Sequence, residues 1–98
     1  MRIAINGFGR IGRSFFRVAF QHPEIEIVAV NDLGDAENLS YLLRRDTVYG
    51  AYEKPVEFKA GQLVVDSHNI FVLNEKDPSK LPWKEMNIDV VVESSGAF

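Results

Sequence analysis

The chain has 98 residues, 46% hydrophobic and 26% charged, with a formal net charge of -3 at pH 7. That balance describes one small soluble globular unit, or a piece of a larger one, and excludes disorder; its mild acidity argues against nucleic acid or an anionic membrane as a partner. No apolar run is long enough to cross a bilayer and no targeting segment is evident, so a cytoplasmic location is expected, and the absence of cysteine removes disulfides, thiolate metal sites and thiol catalysis together.

Taken in order, Ile3, Ala4 and Ile5 form a continuous apolar run that reads as a buried parallel strand ending at Asn6. Glycines follow at positions 7, 9 and 12, and a helical apolar pattern starts at once. In a strand, tight turn and helix of this kind each glycine has its own task. Gly7 permits the sharp turn, Gly9 lets the backbone approach a pyrophosphate, and Gly12 lets the helix pack closely on the strand. The helix then directs its unpaired amides and the positive end of its dipole at the phosphates, so no cationic side chain is required. The glycine spacing alone fits an ordinary strand-to-helix turn equally well. Context decides between the two. A second strand, Ile25 to Val30, ends at Asn31 and Asp32, and Asp32 lies twenty residues beyond Gly12, where the dinucleotide fingerprint expects an acid for the ribose hydroxyls. The candidate cofactor site therefore comprises Asn6, Gly7, Phe8, Gly9, Arg10, Ile11 and Gly12 together with Asn31 and Asp32.

The first helix is expected from Arg10 to about Gln21, with Ile11, Phe15, Val18 and Ala19 on one apolar face, Phe16 and Phe20 in a second stripe, and Arg13 and Arg17 on a solvated side. His22-Pro23 ends it. After Leu33-Gly34, a structural helix is expected from about Asp35 to Arg45, capped by Asp35, buried through Ala36, Leu39, Leu42 and Leu43, and closed by Arg44 and Arg45. Two βα units in succession imply parallel pairing with a right-handed crossover.

Beyond Asp46 the period changes. Val56, Phe58, Leu63 to Val65 and Ile70 to Leu73 read as short strands, with turns at Ala60-Gly61 and Asp66 to Asn69, which makes a small inserted meander. Residues 75 to 83 read as loop with one helical turn, capped by Asp77 with Pro78 at its first position, and Trp83 is expected to pack. Ile88 to Glu93 is a further strand. If it pairs beside the first strand on the side away from the second, the small polar turn Ser94, Ser95 and Gly96 faces the glycine loop across the crevice where strand order reverses. His22 and His68 are expected on the surface, with no second ligand at metal spacing.

The segments INGFGRIGR (Ile5 to Arg13), VAVNDL (Val28 to Leu33), LLRRDTVYG (Leu42 to Gly50), LPW (Leu81 to Trp83) and VVESSG (Val91 to Gly96) resemble the amino-terminal part of phosphorylating glyceraldehyde-3-phosphate dehydrogenases, in register over essentially the whole chain. The sister erythrose-4-phosphate dehydrogenases are also similar. The resemblance implies an incomplete Rossmann-type doubly wound parallel sheet from a homotetrameric, NAD-dependent enzyme that oxidises an aldehyde through a cysteine thioester and releases the acyl group to phosphate. By position it implies that Arg10 and Ile11 meet the pyrophosphate with their backbone and that Asp32 holds the adenosine ribose. It further implies that Asn6 orders the glycine loop, Ser94 to Gly96 line the crevice, and Phe98 lies near the adenine. Lys76 stands where the family often has arginine beside the adenine, and Ser95 where threonine is common.

With no cysteine, the chain by itself is not expected to perform that chemistry, since a thioester needs a thiolate. Asp32 predicts NAD over NADP, because its charge opposes a 2'-phosphate and Leu33 and Gly34 supply no cation. The contrasting reading is a non-catalytic fragment that binds adenine nucleotides weakly or self-associates through the unpaired edge of the strand at residues 88 to 93.

Overall fold

Alternating apolar residues and tight turns build a single mixed sheet. The computed structural model describes residues 1–34, 38–39, 41–43, 56–59 and 61–94. Strands β1 (Arg2–Asn6), β2 (Glu26–Asn31), β3 (Val56–Lys59), β4 (Gln62–Val65), β5 (His68–Leu73) and β6 (Val90–Glu93) form one sheet in the order β3-β4-β5-β2-β1-β6, and helix α1 (Arg10–Ala19) connects β1 to β2. The pairs β5-β2, β2-β1 and β1-β6 are parallel, whereas β3-β4 and β4-β5 are antiparallel. The expected meander is present as β3-β4-β5. Its last strand joins the parallel sheet directly beside β2, and β6 takes the predicted place on the far side of β1, at an edge where Val90 and Val91 are exposed.

Strand alternation sorts the core into two faces. Ile3 and Ile5 pack with Phe8, Phe16, Ala19, Leu39, Leu43, Leu63, Val65 and Ile70. Ala4 lies on the other face with Val28 and Ala29, covered by Trp83, Met86 and Ile88. In β2 the alternation breaks: Ile3 pairs with Ile27 but Ala4 pairs with Ala29, so Val28 is an extra residue in a bulge.

The buried face of α1 differs from the expected one. Gly12, Phe16 and Ala19 are buried, while Ile11 is 74% and Val18 62% exposed. The cause is Gly12. It is the point of closest approach to the turn after β1, so it fixes the rotation of the helix, and the positions four and seven residues later follow it inward. Phe16 then sits edge-on to Phe8 (ring centroids 5.7 Å apart) and stacks on Phe20 (5.2 Å).

Residues 38–39 and 41–43 are helical, with Leu39 and Leu43 buried; Asp35, Ala36, Arg44 and Arg45 lie outside the described residues. The turn before β5 is shorter than expected. Asp66 (φ 49°) and Ser67 (φ 69°) make a two-residue hairpin, so His68 and Asn69 begin the strand instead of finishing the turn.

Candidate crevice at the carboxyl ends of the parallel strands

The turn after β1 is built on two tight approaches. Gly7 has φ 95°, a left-handed conformation that side chains resist, and its amide donates to the Asn31 carbonyl at 2.7 Å. A Cβ on Gly12 would overlap the Gly7 carbonyl oxygen and come within 2.9 Å of Ser94 Oγ. Ser94 Oγ itself donates to that carbonyl at 2.6 Å, and the Ser94 amide donates to the Asn6 carbonyl at 2.8 Å. The loops after β1 and β6 therefore meet across the predicted crevice.

Gly9 is different. A Cβ there would find nothing within 4 Å, so its place is open. Gly9 also caps α1 without a side-chain hydrogen bond, and the first turn of the helix carries no acid. An α-helix leaves its first amides without intrahelical acceptors. Those of Arg10, Ile11 and Gly12 accordingly form an uncompensated positive end suited to an anion.

Asp32 follows β2 and is half-buried. Its Oδ2 accepts the Phe8 amide at 2.6 Å and its Oδ1 accepts the Gly34 amide at 2.8 Å. The carboxylate thus props the glycine turn while each oxygen keeps a lone pair for a further donor.

Two sequence expectations change here. Phe8 offers no contact surface, because its ring is fully buried in the core and its amide is already bound to Asp32. Arg13 and Arg17 are half-buried, not solvated. Arg13 Nη1 donates to the Phe8 carbonyl at 3.2 Å and braces the turn from outside, while Arg17 Nη2 donates to Ser14 Oγ at 3.2 Å.

Sequence reasoning missed the polar row beneath these loops. Asn6, Asn31 and Glu93 are the last residues of β1, β2 and β6, and Asn6 pairs in register with both of the others. Asn31 Nδ2 donates to Asn6 Oδ1 at 2.8 Å, and Asn6 Nδ2 donates to Glu93 Oε2 at 2.7 Å. Asn31 is only 4% exposed, so it lies under the crevice as a support and not, as the motif implied, along its lining. The β2 bulge makes this possible, since without the extra residue Val30 would stand opposite Asn6. The readable signal was a polar residue ending each of three parallel strands.

Lys76 is exposed on the segment after β5. The expected turn follows it, as a single 3-10 turn at Pro78–Lys80. Asp77 Oδ1 accepts the Ser79 hydroxyl at 2.8 Å and the Ser79 amide at 3.0 Å, and these bonds hold its carboxyl below the ordinary value of 3.8. Ser95, Gly96 and Phe98 lie outside the described residues. Both histidines are exposed as expected, and no cluster among the described residues has the composition of a metal site. A groove of about 860 Å³ opens at the opposite end of the sheet, between Phe20 to Ile27 and Asp66 to Asn69, far along the strands from the glycine turn.

Four neighbouring parallel strands with a glycine turn, an uncapped helix start and an acid after the second strand define a dinucleotide-binding α/β domain of Rossmann type. Comparison with known proteins gives the particular one: the family model described as the NAD binding domain of glyceraldehyde 3-phosphate dehydrogenase matches residues 1–98, and the chain belongs to this family, whose cofactor is NAD. Over its whole length the chain is 51% identical to glyceraldehyde-3-phosphate dehydrogenase of Borreliella burgdorferi, covering 29% of that protein. It is also 51% identical to the cytosolic enzyme of Trypanosoma brucei brucei, covering 30%, and 49% identical to the Geobacillus stearothermophilus enzyme, covering 29%. The chain thus spans about three tenths of the length of these relatives. No helix among the described residues is long and apolar enough to cross a membrane.

Proposed function

We propose that this chain is the amino-terminal, cofactor-binding part of a longer phosphorylating glyceraldehyde-3-phosphate dehydrogenase that works as a cytoplasmic homotetramer. The observation that carries the reading is the open place at Gly9 between the uncapped start of α1 and the Asp32 carboxylate. A dinucleotide fits these residues: the amides of Arg10 and Ile11 would hold the pyrophosphate, with Gly9 keeping the approach clear and Gly12 letting α1 close on the turn, and the free lone pairs of Asp32 would accept the adenosine ribose hydroxyls. Ser94 lies across from the glycine turn, and by the family resemblance Ser95 and Gly96 would also contact the cofactor while Lys76 and Phe98 would flank the adenine. Asn6, Gly7, Phe8 and Asn31 hold the loop in shape from below.

Bound NAD supplies the acceptor for a hydride taken from the aldehyde carbon. This chain's own residues bind and orient; it has no cysteine, so the thiolate that forms the acyl enzyme belongs to sequence outside it. Two measurements test the proposal. The intact mass of the natural gene product should lie well above 11.1 kDa. In the full-length protein, Asp32→Ala should weaken NAD binding roughly tenfold to a hundredfold and erase most of the preference for NAD over NADP; an unchanged preference on titration of both cofactors removes Asp32 from this role.

A further inference from the structure

We propose that Asn31 is a positioning residue for the adenosine half of NAD: its buried amide fastens the segment after β5 to the end of β1 and so sets the wall of the crevice beside Asp32. The inference rests on the NAD reading above and names a device within that site. A buried amide is costly unless its polar atoms are paired, and those of Asn31 are. Nδ2 donates to Asn6 Oδ1 at 2.8 Å and to the Glu75 carbonyl at 3.1 Å, while Oδ1 accepts the Glu75 amide at 2.9 Å. The side chain therefore grips both polar groups of one residue, as a neighbouring strand would, and fixes the orientation of the segment as well as its distance.

The same segment is tied to Asp32 on both sides of that residue's backbone. The Asp32 amide donates to the Leu73 carbonyl at 3.0 Å, and Asn74 Nδ2 donates to the Asp32 carbonyl at 3.1 Å. Asp32 thus lies between the glycine turn, which its carboxylate holds, and the segment after β5, which its backbone holds. Asn31 locks both to one point, because its carbonyl also receives the Gly7 amide at 2.7 Å. The β2 bulge puts this side chain on the face of Asn6, in keeping with the use of bulges to re-aim a residue beside a site.

The test uses the full-length protein with Asn31→Ala. AMP serves as the probe for the adenosine half, and steady-state kinetics are measured with NAD. Losing the grip should weaken AMP about tenfold and raise the KM for NAD by a similar factor, while kcat at saturating NAD changes by less than KM does. A folded variant whose AMP affinity stays within about twofold of the parent, or whose kcat falls with KM unmoved, overturns the proposal. If Asn31→Ala does not fold, hydrogen exchange in the parent decides. The Glu75 amide should exchange slowly and more slowly still with AMP; exchange at the rate of a free loop amide refutes the fastening. A parent protein that binds neither NAD nor AMP would instead strike down the cofactor reading itself.

Discussion

The two ends of the parallel strands differ in where side chains hold backbone. At the carboxyl end, side chains are used to hold backbone: Asp32 grips the Phe8 and Gly34 amides, Asn31 grips Glu75, and Ser94 grips the Gly7 carbonyl. At the amino end the side-chain grips lie beside the start of β6, where the Arg2 guanidinium donates to the Met86 carbonyl at 3.2 and 3.0 Å and Asp89 Oδ2 accepts the Arg2 amide at 2.8 Å, and on the side of β2 backbone holds backbone. Met1 donates to Glu24, Glu26 to Met1 and Ile25 to His22, and between these contacts and the β4-β5 turn lies the groove of about 860 Å³. Donors fixed in advance favour the carboxyl end as the place proposed for the cofactor, because a site already held in place loses little freedom when a ligand arrives.

The comparison breaks most readily at Gly12. Gly12→Ala puts a Cβ into the Gly7 carbonyl, and no rotamer change can relieve a clash with backbone. The full-length protein should lose about 1–3 kcal/mol of stability in urea unfolding and on the order of a hundredfold in NAD affinity by titration. A variant that binds NAD like the parent would mean that the turn is not held by this approach.

At the other end, His68→Ala removes the edge-on contact with Phe20, whose ring centroid lies 5.3 Å from the imidazole. A loss of about 0.5–1.5 kcal/mol in unfolding is expected, with NAD affinity within about twofold of the parent. This variant sharpens the comparison because Phe20 stacks on Phe16 and Phe16 meets Phe8, so an aromatic row joins the two ends. A larger fall in NAD affinity would show that the row couples them.

The smallest effect is expected at Asp77. Its carboxyl titrates below the ordinary value of 3.8 because the Ser79 hydroxyl and amide bond to the charged form. A carboxyl with a lowered folded value contributes stability that is complete above the unfolded value and lost as pH falls through the folded one. Acidification below 3.8 should therefore loosen the turn at Pro78–Lys80, seen as faster amide exchange at Ser79. Asp77→Ala should give that faster exchange at neutral pH and abolish its pH dependence.

Much of this architecture was legible in the residues. The glycines, the apolar run before them and the acid after the second strand marked the candidate cofactor site, and the tight requirements at Gly7 and Gly12 follow from having no side chain in a crowded turn. The buried face of α1 was misread because Ile11, Phe15 and Val18 are apolar at helical spacing, and periodicity alone cannot tell which apolar stripe meets the sheet. Arg13 was taken for surface because an arginine carries no sign of whether a carbonyl lies within reach of its side chain.

The sequence by itself determined the class of domain and the cofactor, and it pointed to the place proposed for the anion cradle, since these depend on local rules: which residues permit a left-handed turn, end a strand or leave a helix uncapped. The tertiary structure alone decided how the crevice is supported. One extra residue in β2 shifts the register by one, and that shift brings Asn31 opposite Asn6 and beneath the loops. Register is a relation between strands far apart in the chain, so no local pattern contains it.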